Sequence, residues 1–208
     1  AKEIYLKKIK VSWNTGIAHY SFSGEYLGRI YRNIPLKGLL RYPKNFTPPS
    51  TNRKISTQCR FNTNYVKDSV AFQRKEVAKI LKDRLQTKKI NRYSFFNELK
   101  NTKVVISPFG LGEITLKDFE VFITGGLLMK PDMGHLNTWP NFYDEDTYIS
   151  FDWDLKNVSE KLELVLDNYN DYIELAVNAQ ERYKYYVSSI DGNNEIVSRF
   201  RDIVLNET

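Results

Sequence analysis

From about residue 53 onward, apolar residues alternate between short runs and helical stripes. Val104-Val105-Ile106-Ser107 is a short run rich in β-branched residues, the pattern of a buried strand. Leu116, Phe119, Phe122 and Ile123 recur at helical spacing, and Leu127-Leu128-Met129 is a second buried run. Thr115 and Asp118 stand at capping-box spacing, which predicts a helix starting near Leu116, and Gly125-Gly126 ends it. Between the first run and the helix lies Pro108-Phe109-Gly110-Leu111-Gly112, whose glycines permit a tight turn or the close approach of a ligand to backbone. Strand, glycine turn, helix, strand is a βαβ unit, which takes a right-handed crossover and a parallel sheet.

The same patterns extend the unit on both sides. Ile55, Thr57, Cys59 and Phe61 alternate with polar residues, predicting a first strand with one buried face. A helix follows from Val66 or Ser69 to Leu85, with Val70, Val77, Ile80, Leu81 and Leu85 on its apolar side, then a short helix over Ser94 to Lys100. Thr147 to Phe151 reads as a further strand. Helices are predicted over Val158 to Leu166, started by a capping box of Asn157 and Glu160, over Asp171 to Tyr186, and over Asn194 to Leu205. Ahead of all this, residues 1–52 read as a lead-in. Lys10-Val11-Ser12-Trp13 fits a strand, a short helix fits between Tyr26 and Pro35, and Pro43 to Asn52, with Pro48-Pro49-Ser50, fits a linker. The division is a lead-in over 1–52 and, over 53–208, an α/β domain with a Rossmann-like parallel sheet covered by helices on both faces.

Chemistry enters at the glycine turn. A helix start facing such a turn favours an anion, because its first N–H groups are free and its dipole is positive there. Lys117 adds a mobile charge in the first turn, and Glu113 and Glu120 bracket it. A carboxylate beside a phosphate site is awkward unless it does other work, such as accepting hydrogen bonds from sugar hydroxyls. Phosphate plus hydroxyls points to a nucleotide sugar; a plain βαβ unit with Glu and Lys on its surface is the other reading. Ligands of open α/β sheets bind beyond the carboxyl ends of the strands, which makes Arg60, Asn62 and Asn64 phosphate candidates, Arg60 and Asn64 first. Arg74, early in the next helix, is either a surface or salt-bridged residue or a phosphate contact. His135, in the loop after Asp132, is a hydrogen-bonding candidate, and His19 in the lead-in reads as structural. Asp152 and Asp154 lack a third ligand at metal-binding spacing and read as turn residues.

Several of these features recur together, in order, in a known family. Gly110-x-Gly112-Glu113, Lys117-Asp118-Phe119-Glu120 and Gly125-Gly126-x-Leu128-x-Lys130-Pro131-Asp132 resemble the donor-binding half of GT-B glycosyltransferases, of the exostosin-like and "glycosyl transferases group 1" branches. The resemblance runs from about Arg60 to Tyr186. It implies that Glu120 takes the donor ribose hydroxyls, and that Thr115 at the helix start and Lys117 take the diphosphate. The family's usual Glu pair has seven residues between its members; Glu113 and Glu120 have six, and Gly112 occupies the first position, which leaves the role of Glu113 open. The expected donor site is thus Arg60, Asn64, Gly110, Gly112, Glu113, Thr115, Lys117 and Glu120, with Arg74, Lys130 and His135 as further candidates. The implied reaction is transfer of a hexosyl or pentosyl group from a nucleotide sugar to a saccharide or glycoconjugate, in glycan biosynthesis and without a bound metal. The acceptor side and any catalytic base would belong to a first GT-B domain or a partner chain, and no residue here can be named as that base. The resemblance also implies that the last helix crosses back to that domain, which accounts for its apolar side.

Composition narrows the alternatives. The chain has 208 residues, a net charge of +6, 14 Tyr and 12 Phe. That charge suits an anionic ligand, but the basic residues are scattered, which argues against nucleic acid as the primary partner. The lone Cys59 excludes an internal disulfide and fits a reducing, cytoplasmic setting. No apolar run is long enough to span a bilayer. Two other functions remain open at this point: a noncatalytic nucleotide or nucleotide-sugar binding module, and a basic adaptor for polyanions.

Overall fold

A computed structural model of the chain describes residues 9–16, 45–82 and 88–205. His19 and the helix expected between Tyr26 and Pro35 lie outside them, as does Leu85. The strands are β1 (Ile55–Gln58), β2 (Thr102–Ile106), β3 (Leu127–Pro131) and β4 (Ile149–Phe151). The helices are α1 (Asp68–Ile80), α2 (Arg92–Asn101), α3 (Leu116–Thr124), α4 (Val158–Asp167), α5 (Tyr169–Ser188) and α6 (Ile190–Leu205). The strands pair in the order β1-β2-β3-β4, all parallel, with Val104 opposite Thr57 and Leu127.

Alternation along the strands builds two cores. Val105 and Leu128 point to one face, where Leu99 of α2, Phe119 and Phe122 of α3, and Ala179 and Tyr183 of α5 cover them. Val104, Ile106, Leu127 and Met129 point to the other, against Val77 of α1 and Val158, Leu162 and Val165 of α4. β2 and β3 are therefore apolar at nearly every position, because both faces are covered. The first core is largely aromatic: Phe119, Phe122, Phe142 and Tyr183 meet with ring centroids 5.5 to 6.0 Å apart.

The amino end of the sheet is closed by main-chain contacts. Arg53, buried, donates to the carbonyls of Leu99 (3.0 Å), Thr102 (3.1 Å), Pro48 (3.3 Å) and Thr124 (2.6 Å). These include carbonyls at the carboxyl ends of α2 and α3, where intrahelical donors run out; the Leu99 carbonyl also takes the Thr102 N–H. Gly125 ends α3 at φ +66°, and a Cβ there would stand 2.4 Å from the carbonyl oxygen of Thr47. Left-handed backbone and close packing thus both require glycine.

Three local expectations change. Lys10 to Trp13 is not a strand; Val11 accepts a hydrogen bond from Arg199 of α6 at 2.7 Å, and Trp13 meets Phe200 edge-on at 5.4 Å. Leu116 is 63% exposed, because it belongs to the first turn of α3, ahead of the stretch that packs on the sheet. Asn157 does not cap α4: its Oδ1 accepts the Asp152 N–H at 2.9 Å and is spent on the turn before the helix.

Candidate functional site at the carboxyl edge of the sheet

The glycine turn leaves β2 beyond Ser107 and returns into α3 at Thr115. Gly110 donates to the Gly112 carbonyl at 3.0 Å and is buried between Thr115 and Arg74; a Cβ there would lie 3.4 Å from Thr115 Cγ2 and 3.7 Å from Arg74 Nη2. Gly112 has nothing within 4 Å of its Cβ position, so its backbone is open to a ligand.

Beneath the turn sits a buried polar knot centred on Asp118, the third residue of α3. Its Oδ1 accepts from Ser107 Oγ at 2.5 Å and Thr115 Oγ1 at 2.9 Å. Its Oδ2 accepts from Thr115 N at 3.1 Å and Tyr143 OH at 2.8 Å, and lies 3.3 Å from Lys130 Nζ. Lys130, on β3, has no exposed side-chain surface. It donates to the carbonyl of Glu113 at 2.8 Å and faces the rings of Phe109 and Tyr143. Burial lowers the Lys130 pKa and the Asp118 carboxylate opposes that shift; the Tyr143 hydroxyl is pushed well up by burial and by Asp118. The knot fixes the turn to β3 and to the loop after it. The backbone N–H groups of Leu116 and Lys117 have no hydrogen-bond partner among the described residues. They are the free donors of a helix start.

Two cations lie near this end of α3. Arg74 of α1 is buried; its Nε donates to the Phe109 carbonyl at 2.7 Å, its Nη1 to the Asn62 carbonyl at 3.1 Å, and its guanidinium packs on the rings of Phe61 and Tyr65. It is therefore not a surface residue. Lys117 Nζ donates to the Arg60 carbonyl at 2.5 Å and lies 5.8 Å from the Phe61 ring centre. Burial lowers the Lys117 pKa; Cys59 and Glu120 oppose this and Arg74 reinforces it. Glu120, one turn further along α3, is 12% exposed and 3.6 Å from Arg92. Burial pushes its carboxyl up to about 7 against the pull of Arg92 and Lys117.

Seven of the expected residues therefore gather at one place: Gly110, Gly112, Glu113, Thr115 and Lys117 at the turn, with Arg74 over it and Lys130 under it. Glu120 adjoins them through Lys117. Arg60 is at the same edge, but its guanidinium is committed to Glu98 (2.6 to 2.9 Å) and to the Lys88 carbonyl, and its backbone carbonyl is what meets Lys117. Asn64 is exposed, its N–H held by Asn62 Oδ1 at 2.9 Å. His135 is exposed and stands edge-on to Trp153 at 4.7 Å. Sequence reasoning missed Ser107, Tyr143 and Arg92 as parts of this edge. It read Asp118 as a cap alone, since capping spacing is local and the three elements meeting at its carboxylate are not. Among the described residues, no three His, Cys, Asp or Glu side chains converge to hold a metal, and no helix is long and apolar enough to cross a membrane.

No described protein family and no curated protein matches the sequence. Nineteen chains of solved structures match the fold. One is the crystal structure of TarM, a glycosyltransferase of GT-B type, which superposes with a TM-score of 0.53 at 13% identity. The match covers 78% of this chain and 37% of that one, so the chain spans little more than a third of the protein it resembles. The parallel sheet with helices on both faces is accordingly a GT-B-like, Rossmann-like architecture.

Proposed function

We propose that this chain is the donor-binding part of a glycosyltransferase that takes a nucleotide-activated sugar and passes its hexosyl or pentosyl group to a saccharide or glycoconjugate. One observation carries the reading. Two unpartnered N–H groups stand where α3 leaves an open glycine turn; Arg74 Nη2 lies 3.7 Å from the Cβ position of Gly110, Lys117 is in the first turn of the helix, and the Glu120 carboxylate is three residues on.

In this reading the diphosphate lies across the N–H groups of Leu116 and Lys117. Lys117 spends one of its donors on the Arg60 carbonyl and keeps the others for phosphate. Burial is what lowers its pKa, and a bound diphosphate would favour the charged form. As the sugar bond breaks, negative charge grows on the leaving diphosphate, and fixed N–H groups and cations stabilise that charge without reorganising. Glu120 stands at i+3 from Lys117, on the same side of α3, where it accepts from ribose hydroxyls. Arg60 serves by placing the carbonyl that orients Lys117, and Lys130 by holding the turn from below. Asn64 and His135 lie at the rim. The acceptor and its base come from a second domain or a partner.

Calorimetry with UDP and GDP tests the assignment. The wild type binds one of them, and Lys117→Ala weakens that binding by about 1–3 kcal/mol, the size of a lost charge-assisted hydrogen bond. Unchanged affinity in the variant removes Lys117 from the site. Failure of the wild type to bind any nucleoside diphosphate removes the reading.

A further inference from the structure

Trp153 follows β4 and is 50% exposed. It is also fixed in place. Its Nε1 donates to the Asp132 carbonyl at 2.9 Å, and its ring meets Phe109 edge-on at 5.0 Å and His135 edge-on at 4.7 Å. A large apolar surface is thus held half open by contacts at its edges. The open part lines a cleft of about 370 Å³ together with Gly110, Gly112, Glu113, Gln73 and Ser69. The volume is that of a small-ligand site. One wall is backbone without a Cβ in the way, at Gly112. Another is Gln73, whose Oε1 accepts the Phe109 N–H at 3.1 Å while its NH2 group has no partner among the described residues. The Glu113 carboxylate adds an acceptor, since only its carbonyl is used by Lys130.

A rigid aromatic surface beside a carboxylate, an amide and open backbone matches one ligand chemistry. A pyranose ring has an apolar face of C–H bonds, which packs on the negative face of an aromatic ring, and a rim of hydroxyls, which needs acceptors and donors at its edge. The wall carries both Lys67 and Glu113, so it has no net charge that selects an ion; a purely apolar ligand fits poorly, because Gln73 and Glu113 would lose their hydrogen bonds with water. We propose that this cleft is a pyranose subsite and that Trp153 is its platform. It rests on the proposed function only in that the neighbouring glycine turn takes the diphosphate. The sugar is either the one carried by the donor or one residue of a saccharide acceptor.

The test is tryptophan fluorescence with three ligand sets: UDP and GDP, their hexose conjugates, and free neutral oligosaccharides. The expected result is a quench produced by a hexose conjugate beyond that of its parent diphosphate, or by an oligosaccharide alone, and lost in Trp153→Phe. The first outcome identifies the donor sugar and the second the acceptor. Trp153→Ala should weaken the same ligand about tenfold or more, while binding of the bare diphosphate stays within about twofold. That diphosphate binding also shows that the variant is folded. If conjugates bind no more tightly than bare diphosphates and no oligosaccharide quenches, or if the quench persists in Trp153→Phe, the subsite is overturned. A wild type that binds saccharide but no diphosphate would overturn the function proposed above and leave the subsite standing.

Discussion

Glu120 is a residue whose chemistry departs from its ordinary state. Its carboxyl is pushed up to about 7 from the usual 4.5, chiefly by burial. The folded protein therefore holds a proton on it, between those two values, that the unfolded chain has released. Stability contributed this way is complete below about pH 4.5 and is lost as pH rises through about 7. Glu120→Gln cannot titrate. Between about pH 5 and 8 the wild type should lose stability relative to that variant, in urea midpoints measured side by side. Parallel pH curves for the two proteins would show that the carboxyl is not perturbed. The same variant separates roles: loss of ribose contacts weakens a nucleoside diphosphate and spares or improves pyrophosphate, since a negative charge near phosphate has gone. The position of Glu120 was legible in the chain, three residues after Lys117 on a helix that starts at the glycine turn. Its burial was not, because Arg92 comes to it from α2, elsewhere in the sequence.

At the scale of elements, α3 is held by the pair of Asp118 and Lys130, neither with exposed side-chain surface. Removing one partner strands the other charge in the interior. Asp118→Asn or Lys130→Met alone should each cost about 3–5 kcal/mol. The double variant should cost clearly less than the two added, because neither charge is then left unpaired. Additive losses in chemical denaturation would mean that the two groups act independently. Here the sequence was half legible. The box of Thr115 and Asp118, the turn glycines and the closing Gly125 fell where local rules place them. The knot did not, because Ser107, Lys130 and Tyr143 reach Asp118 only once β2, β3 and the following loop are assembled. Asn157 shows the opposite case, a correct spacing overruled by a nearer N–H.

For the whole molecule, the alternation of Val104 and Ile106 with Val105, and of Leu127 and Met129 with Leu128, was enough to foresee a sheet covered on both sides. The sequence could not foresee how the segment before β1 is used. Residues read as a linker lie against α3 and α5: Thr47 donates to the Ile123 carbonyl at 3.0 Å, and Gln180 donates to the Thr47 carbonyl at 2.9 Å. Pro48-Pro49-Ser50 has a linker's composition, and its contacts are main-chain ones that composition does not encode. The outer side of α6 remains open, with Val197, Phe200 and Val204 each close to half exposed.

Arg53 has a consequence for the order in which the chain assembles. Its four acceptors stand at Pro48, Leu99, Thr102 and Thr124, up to 71 residues away along the chain. The guanidinium can bridge them only when α2, β2 and α3 already lie side by side, so this joint is expected to close late in folding and to open early in unfolding. Contacts formed that late govern how fast a native state is lost and leave the speed of its formation alone. Arg53→Lys keeps the charge and discards the planar fork, at a cost on the order of 2 kcal/mol. In stopped-flow traces that cost should fall almost wholly on the unfolding limb, moved upward at every denaturant concentration, with the refolding limb superimposed on that of the wild type. A slowed refolding limb would place Arg53 among the first contacts made. If the unfolding limb alone moves, this single side chain is a latch on the protein's lifetime, at the end of the sheet opposite the proposed site.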